Sequence, residues 1–276
     1  MTEMAQKPQI RVSGAEEPSA ELLRSAKSET FNKREFVLNN FDETLLDPTS
    51  STKQFDDWFT ARGRAGFRHV CVQLTFVKRA AELARVNNFD IGIATVIGFP
   101  HGNEHSTEDK ARQIEQAAED GARDVDFVIN ISQLRSDDGA FKKELSVLAE
   151  TAHKHGTRIK AIFETYYLSG EEITKVAAYC EEAGIDVVKT STGFAVKGKN
   201  HKERDSDLTG ATADAIELMG KGVKNKEKVG LKPSGGIRTV EQLMKMRDAW
   251  QKAGWKDEQV RIGASSGLQI LEELKD

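Results

Sequence analysis

Along most of the chain a short run rich in Val, Ile and Phe gives way to a polar turn, then to a stretch with helical spacing of apolar residues, and the cycle repeats. Continuous apolar runs suit strands buried on both faces, and strands joined through helices pair in parallel. The runs predict strands at 36–41, 69–74, 91–99, 125–131, 159–165, 187–190, 229–232 and 260–263. Helices are predicted at 52–64, 77–86, 107–120, 140–155, 171–183, 211–219, 240–253 and 268–274. Ser169 ahead of Glu171 and Glu172, and Thr239 ahead of Glu241, read as helix caps. Eight strands alternating with eight helices point to an α/β fold, a closed (β/α)8 TIM barrel, for which 276 residues suffice. An open doubly wound sheet is the rival, but it normally carries a Gly-rich phosphate loop after its first strand, and none follows Phe41. Residues 1–30 read as a polar tail with a short helix at 20–28 capped by Ser19, and residues 31–276 as the barrel. The charged stretches 197–207 and 221–228 read as solvated loops.

A net charge of −4 gives no general attraction to nucleic acid or to an anionic membrane, so an anionic ligand needs a local site. The two cysteines, Cys71 and Cys180, belong to no CxxC pair, which argues for reduced thiols rather than a disulfide framework or a zinc site. No window approaches the roughly 20 apolar residues that span a membrane, and the first residues lack a signal-peptide core. A soluble, cytoplasmic protein is the expectation.

Barrel enzymes keep their chemistry at the carboxyl ends of the strands. Two neighbouring strand candidates end in lysine: Ile185-Asp-Val-Val-Lys189 and Val229-Gly-Leu-Lys232. Adjacent strands lie about 4.8 Å apart, so two inward lysines share one space. Like charges in a partly dry site disfavour each other, and one lysine then loses its proton more easily. A neutral amine attacks a carbonyl; an ammonium does not. In the fourth strand, alternation sets Asp126 on the face opposite Val125, Phe127 and Ile129, towards the barrel interior. There it needs a partner, and Lys160 on the fifth strand is a candidate. The pair serves either as a structural ion pair or as a proton-transfer group. Asn130 and Glu164, nearer the strand ends, are expected to face substrate hydroxyls.

Three small-residue turns follow the last three strands: Thr190-Ser-Thr192-Gly193, Ser234-Gly235-Gly236 and Gly263-Ala-Ser265-Ser266-Gly267. Loops after strands seven and eight of such barrels often bind phosphate with help from a short helix N-terminus. The expected ligand is a small phosphorylated sugar with its reactive carbon near Lys189.

The strings Val70-Cys-Val72, Thr95-Val-Ile-Gly-Phe-Pro100, Asp124-Val-Asp-Phe-Val-Ile-Asn-Ile131, Ile162-Phe-Glu-Thr165, Val188-Lys-Thr-Ser-Thr-Gly-Phe194, Lys232-Pro-Ser-Gly-Gly-Ile-Arg-Thr239 and Arg261-Ile-Gly-Ala-Ser-Ser-Gly267 resemble the deoxyribose-phosphate aldolase family. The resemblance runs from about Phe41 to the C-terminus. It implies that Lys189 forms the Schiff base and that Lys232 lowers its pKa and helps to move protons. It implies that Asp126 acts with Lys232 as a proton relay, and that Gly193, Gly235, Gly236, Ser265 and Ser266 hold phosphate, beside Thr192. It further implies reversible cleavage of 2-deoxy-D-ribose 5-phosphate to D-glyceraldehyde 3-phosphate and acetaldehyde, with no metal or organic cofactor. Departures are Glu43 where many members have His, Gln73-Leu74 where Asn-Pro is frequent, a longer and more basic segment at 195–207, and no tyrosine near the C-terminus. They leave open a Schiff-base aldolase for another phosphorylated sugar or aldehyde. A non-catalytic phosphosugar-binding barrel is the alternative of another class. Association of identical copies is left open.

Overall fold

A computed structural model describes residues 31–198 and 209–275. The helix expected at 20–28 and most of the loop expected at 197–207 lie outside the described residues. The strands are β1 Phe41–Leu45, β2 His69–Val72, β3 Gly92–Ile97, β4 Asp124–Val128, β5 Arg158–Ile162, β6 Val187–Lys189, β7 Gly230–Lys232 and β8 Ile262–Ala264. All pair in parallel, in the order β7-β6-β5-β4-β3-β2-β1-β8. Parallel bridges from Leu231 to Val260 and from Ser234 to Gly263 join the two ends and close the barrel. The α/β barrel expectation holds, and the open sheet does not.

The helices are α1 Lys33–Asn40, α2 Thr52–Ala65, α3 Val77–Asn87, α4 Thr107–Glu119, α5 Ile131–Ser136, α6 Asp138–Lys154, α7 Gly170–Ala183, α8 Ala213–Gly222, α9 Val240–Lys252 and α10 Gly267–Glu273. Ser51, Ser106 and Ser169 each close a reciprocal capping box, so their helices start where a hydroxyl can meet the orphan N–H groups of the first turn. Thr239 caps α9 as its sequence position suggests. Between sheet and helices, Phe55, Phe59, Phe141, Leu145, Leu148, Ile173 and Trp250 are buried. Each such side chain stabilises the fold by roughly 1.5–3 kcal/mol relative to exposure.

One strand is displaced from its expected place. Residues 36–41 read as the first strand, but Phe36 and Val37 belong to α1, and β1 begins at Phe41. A short apolar run does not separate helix from strand by periodicity. Here packing decides: Phe36 stacks on Trp250 of α9 at 5.7 Å, and the Asn40 amide donates to the Val260 carbonyl at 2.9 Å. The shift carries Asp42 into the strand, with consequences for the site.

Candidate active site

The register of β6 and β7 makes Lys189 and Lys232 Cα partners. Thr190 and Ser234 fix that register just beyond the strands. The Ser234 N–H donates to Thr190 Oγ1 at 2.9 Å, and the Ser234 hydroxyl donates to the Ser191 carbonyl at 2.7 Å. Both lysines turn inward and end on one oxygen: Lys189 Nζ donates to Asp126 Oδ2 at 2.7 Å and Lys232 Nζ at 2.8 Å. Gly263 makes room for this, since a Cβ there would lie 3.1 Å from Lys232 Cε and 2.7 Å from Ser234 Cβ.

Lys160 stands under the same carboxylate, with Nζ 3.0 Å from Asp126 Oδ1 and 2.9 Å from Asp124 Oδ1. Lys232 also donates to Asp42 Oδ2, from β1. The interior therefore holds Asp42, Asp124 and Asp126 against Lys160, Lys189 and Lys232, all buried. Burial alone would raise the Asp126 carboxyl, but Lys160, Lys189 and Lys232 outweigh it and hold it well below the ordinary carboxylate range. Burial likewise opposes the Lys232 ammonium, yet Asp126 and Asp42 hold it above the ordinary lysine range. The expectation of two bare ammonium groups repelling each other is thus modified: a carboxylate bridges them, and Lys232 is held in its protonated form. Asp126 faces inward and meets Lys160, as alternation implied. Asp42 escaped the sequence reading because the first strand was expected to end at Phe41. With the strand placed correctly, alternation puts Asp42 inward with Thr44.

Above this network lies a cavity of about 720 Å3, lined by Lys189, Thr192, Gly193, Gly235, Gly236, Ser265 and Ser266. The residues expected at the phosphate end thus border one space, together with Lys197 and Arg238, whereas Asn130 and Glu164 do not line it. Gly235 and Gly236 have φ of +84° and +81°, values that favour glycine and expose backbone to the cavity. The hydroxyls are less uniform. Ser265 is exposed, whereas the Ser266 hydroxyl is buried and donates to the Ile237 carbonyl at 2.6 Å. The Thr192 N–H donates to Glu164 Oε2 at 3.2 Å, and its hydroxyl donates to the same oxygen. Thr192 therefore borders the cavity with its polar groups already engaged.

Other expectations change. Asn130 caps α5, its amide oxygen accepting from the Gln133 N–H at 3.1 Å, and it does not line the cavity. Glu43 points outward, away from the lysines. Its Oε1 accepts from the Gly267 N–H at 2.6 Å, at the start of α10, and its Oε2 accepts from Arg62 Nε at 3.0 Å. The departure at position 43 thus ties β1 to α10 and α2 instead of altering the barrel interior. The helix N-terminus expected to meet phosphate has its Gly267 N–H occupied by this internal carboxylate. Gln73 donates to the Leu46 carbonyl at 3.3 Å.

A family model described as DeoC/LacD family aldolase matches residues 38–273. A deoxyribose-phosphate aldolase of Thermococcus kodakarensis is 37% identical over 246 residues, covering 89% of this chain and 99% of that protein. One from Staphylococcus haemolyticus is 38% identical, covering 85% and 94%. Among solved structures, the aldolase QR15 superposes with a TM-score of 0.72 at 32% identity, covering 87% of this chain and 96% of that one. The match over residues 38–273 and the identities over most of the chain show that the chain belongs to the DeoC/LacD family of aldolases.

Proposed function

We propose that this protein catalyses the reversible aldol cleavage of 2-deoxy-D-ribose 5-phosphate through a Schiff base on Lys189. The carrying observation is the position of the three interior lysines. Lys160 and Lys232 are enclosed by carboxylates, while Lys189 also reaches the cavity wall. An imine needs an amine that a carbonyl carbon can approach, and Lys189 meets that need.

In the cleavage direction, Lys189 Nζ adds to the aldehyde carbon of the open-chain sugar. The carbinolamine loses water to give an iminium ion. A base takes the proton from the C3 hydroxyl, the C2–C3 bond breaks, and its electron pair moves into the iminium to form an enamine. D-Glyceraldehyde 3-phosphate leaves. Protonation of the enamine and hydrolysis of the imine then release acetaldehyde and restore the amine. Asp126 and Lys232 sit directly under the reacting nitrogen and serve as the proton relay, Asp126 as a fixed anion and Lys232 as the proton-bearing partner. The phosphate is held by the turns carrying Gly193, Gly235, Gly236 and Ser265, with Arg238 and Lys197 adding positive charge at the wall. The Ser266 and Thr192 hydroxyls hold those turns in shape. The chemistry calls for no metal or organic cofactor, because the protonated imine is the electron sink. Among the described residues no helix is long and apolar enough to cross a membrane. A cytoplasmic enzyme acting on small phosphorylated metabolites, with self-association of the chain, completes the proposal.

The test is borohydride reduction with substrate or acetaldehyde, followed by mass spectrometry of the peptides. A reduced adduct on Lys189 is expected, and Lys189→Arg, which keeps the charge but forms no imine, is expected to lose both adduct and turnover. Normal turnover by that variant would refute the assignment. A panel of aldehydes with and without phosphate separates this substrate from another phosphorylated sugar. Phosphosugar binding without an adduct would point to a non-catalytic barrel.

A further inference from the structure

Glu164 is a buried carboxyl to which the reaction assigns no step. It follows β5 with φ +53° and ψ +63°, a left-handed conformation that side-chain-bearing residues rarely adopt. That conformation turns its carboxylate toward the segment after β6. Its Oε2 accepts both the N–H and the hydroxyl of Thr192, and Thr192 Oγ1 in turn accepts the Phe194 N–H at 2.9 Å. Backbone bonds on either side lock the two segments together: Phe163 N–H to the Lys189 carbonyl and Thr165 N–H to the Thr190 carbonyl, each 3.0 Å. The turn so held contains Gly193, with φ +87°, and Phe194, whose ring meets Phe99 edge-on at 5.3 Å. Thr192, Gly193 and Phe194 all border the cavity beside Lys189. Glu164 Oε1 is buried and makes no hydrogen bond within the described chain.

We infer that Glu164 is a positioning residue for substrate binding, acting through Thr192 to hold the Gly193 turn against the phosphate end of the cavity. The inference rests on the aldolase reading and goes beyond it by assigning this wall to a carboxylate outside the lysine network. A carboxylate oxygen accepts two hydrogen bonds at once; a protonated carboxyl competes for the Thr192 hydroxyl with its own proton. Burial pushes the Glu164 carboxyl up to about 7, with the Thr192 hydrogen bonds and then the Lys189 charge only partly offsetting it. Lys189, on neighbouring β6, is the charged group that acts on it. The clamp is therefore complete above neutrality and weakens below it.

The experiment compares the wild type, Glu164→Gln and Glu164→Ala. Steady-state kinetics are measured from pH 6 to 8.5 with 2-deoxyribose 5-phosphate and with unphosphorylated 2-deoxyribose, alongside borohydride trapping with acetaldehyde. Glu164→Ala is expected to raise KM for the phosphorylated sugar about tenfold, the scale of two lost buried hydrogen bonds, with a smaller change in kcat. The preference for the phosphorylated sugar falls with it, while the Lys189 adduct still forms. Glu164→Gln, whose amide oxygen still accepts from Thr192, is expected to recover most of the affinity at pH 8. It also abolishes the rise in KM that the wild type shows as pH falls through about 7. Unchanged KM and phosphate preference in Glu164→Ala would overturn the inference, as would loss of the adduct or a purely kcat effect. If the alanine variant fails to fold, Thr192→Val must show the same rise in KM, and an unchanged KM there overturns the inference equally. A wild type that traps no adduct overturns the aldolase reading and this inference with it.

Discussion

Lys189 and Lys232 are register partners on adjacent strands and donate to the same oxygen of Asp126, at 2.7 and 2.8 Å. The arrangement separates two roles that the residue type alone does not. One lysine reaches the cavity; the other is enclosed between Asp126 and Asp42. A buried anion under three cations also makes the site part of the fold's stability, and the consequences are measurable.

Asp126→Asn removes the anion that Lys160, Lys189 and Lys232 share. Its loss leaves three buried lysines facing two carboxylates, Asp42 and Asp124, so the variant is expected to lose about 3–5 kcal/mol of unfolding free energy. Its kcat is expected to fall about 100-fold or more as the proposed relay is broken. Urea titration and steady-state kinetics check both. A variant as stable as the wild type would show that Asp42 and Asp124 suffice to balance the lysines.

The two adjacent serines after β8 are expected to differ. Ser266→Ala removes a buried hydroxyl bond to the Ile237 carbonyl and should cost about 1 kcal/mol of stability. Ser265→Ala should leave the melting temperature unchanged and raise KM for the phosphorylated substrate. The reverse pattern in thermal melts and kinetics would reassign the phosphate-facing hydroxyl.

Glu43→Ala strips the Gly267 N–H and Arg62 of their shared acceptor. A loss of about 1–3 kcal/mol in denaturant unfolding is expected, with kcat unchanged, because the side chain faces the helices and not the lysines. A large fall in kcat at unchanged stability would mean that Glu43 acts in the reaction after all.

Glu164 also links stability to pH. Burial pushes its folded carboxyl up to about 7 from the ordinary 4.5, so the folded state binds the proton more tightly than the unfolded one. Its contribution is complete below the unfolded pKa and is lost as pH rises through about 7. The expected size is about 3 kcal/mol, from 1.4 kcal/mol per pKa unit. The difference in unfolding free energy between Glu164→Gln and the wild type should therefore move in favour of the variant between pH 4.5 and 8. Parallel stability curves would show that the carboxyl is ionised at ordinary pH.

Alternation in β4 put Asp126 inside the barrel and Lys160 beside it, because strand side chains change face at every residue. Asp42 obeys the same rule and was missed only because the apolar run before it read as strand. Asn130 and Glu164 both looked like substrate binders at strand ends. Asn130 turned out to cap α5, and Glu164 to hold a neighbouring turn, which no local pattern distinguishes from facing a ligand.

The sequence by itself determined the barrel and the placing of two lysines at neighbouring strand ends. Strands buried on both faces must be apolar throughout, and helical crossovers force them parallel. Only the tertiary structure decided which charges meet. Lys232 and Asp42 lie 190 residues apart in the chain and become neighbours when the barrel closes. Which hydroxyls face the cavity was settled in the same way, by turns from separate strands packing against one another. Contacts of that kind follow from closure and side-chain packing, and residue order alone does not encode them.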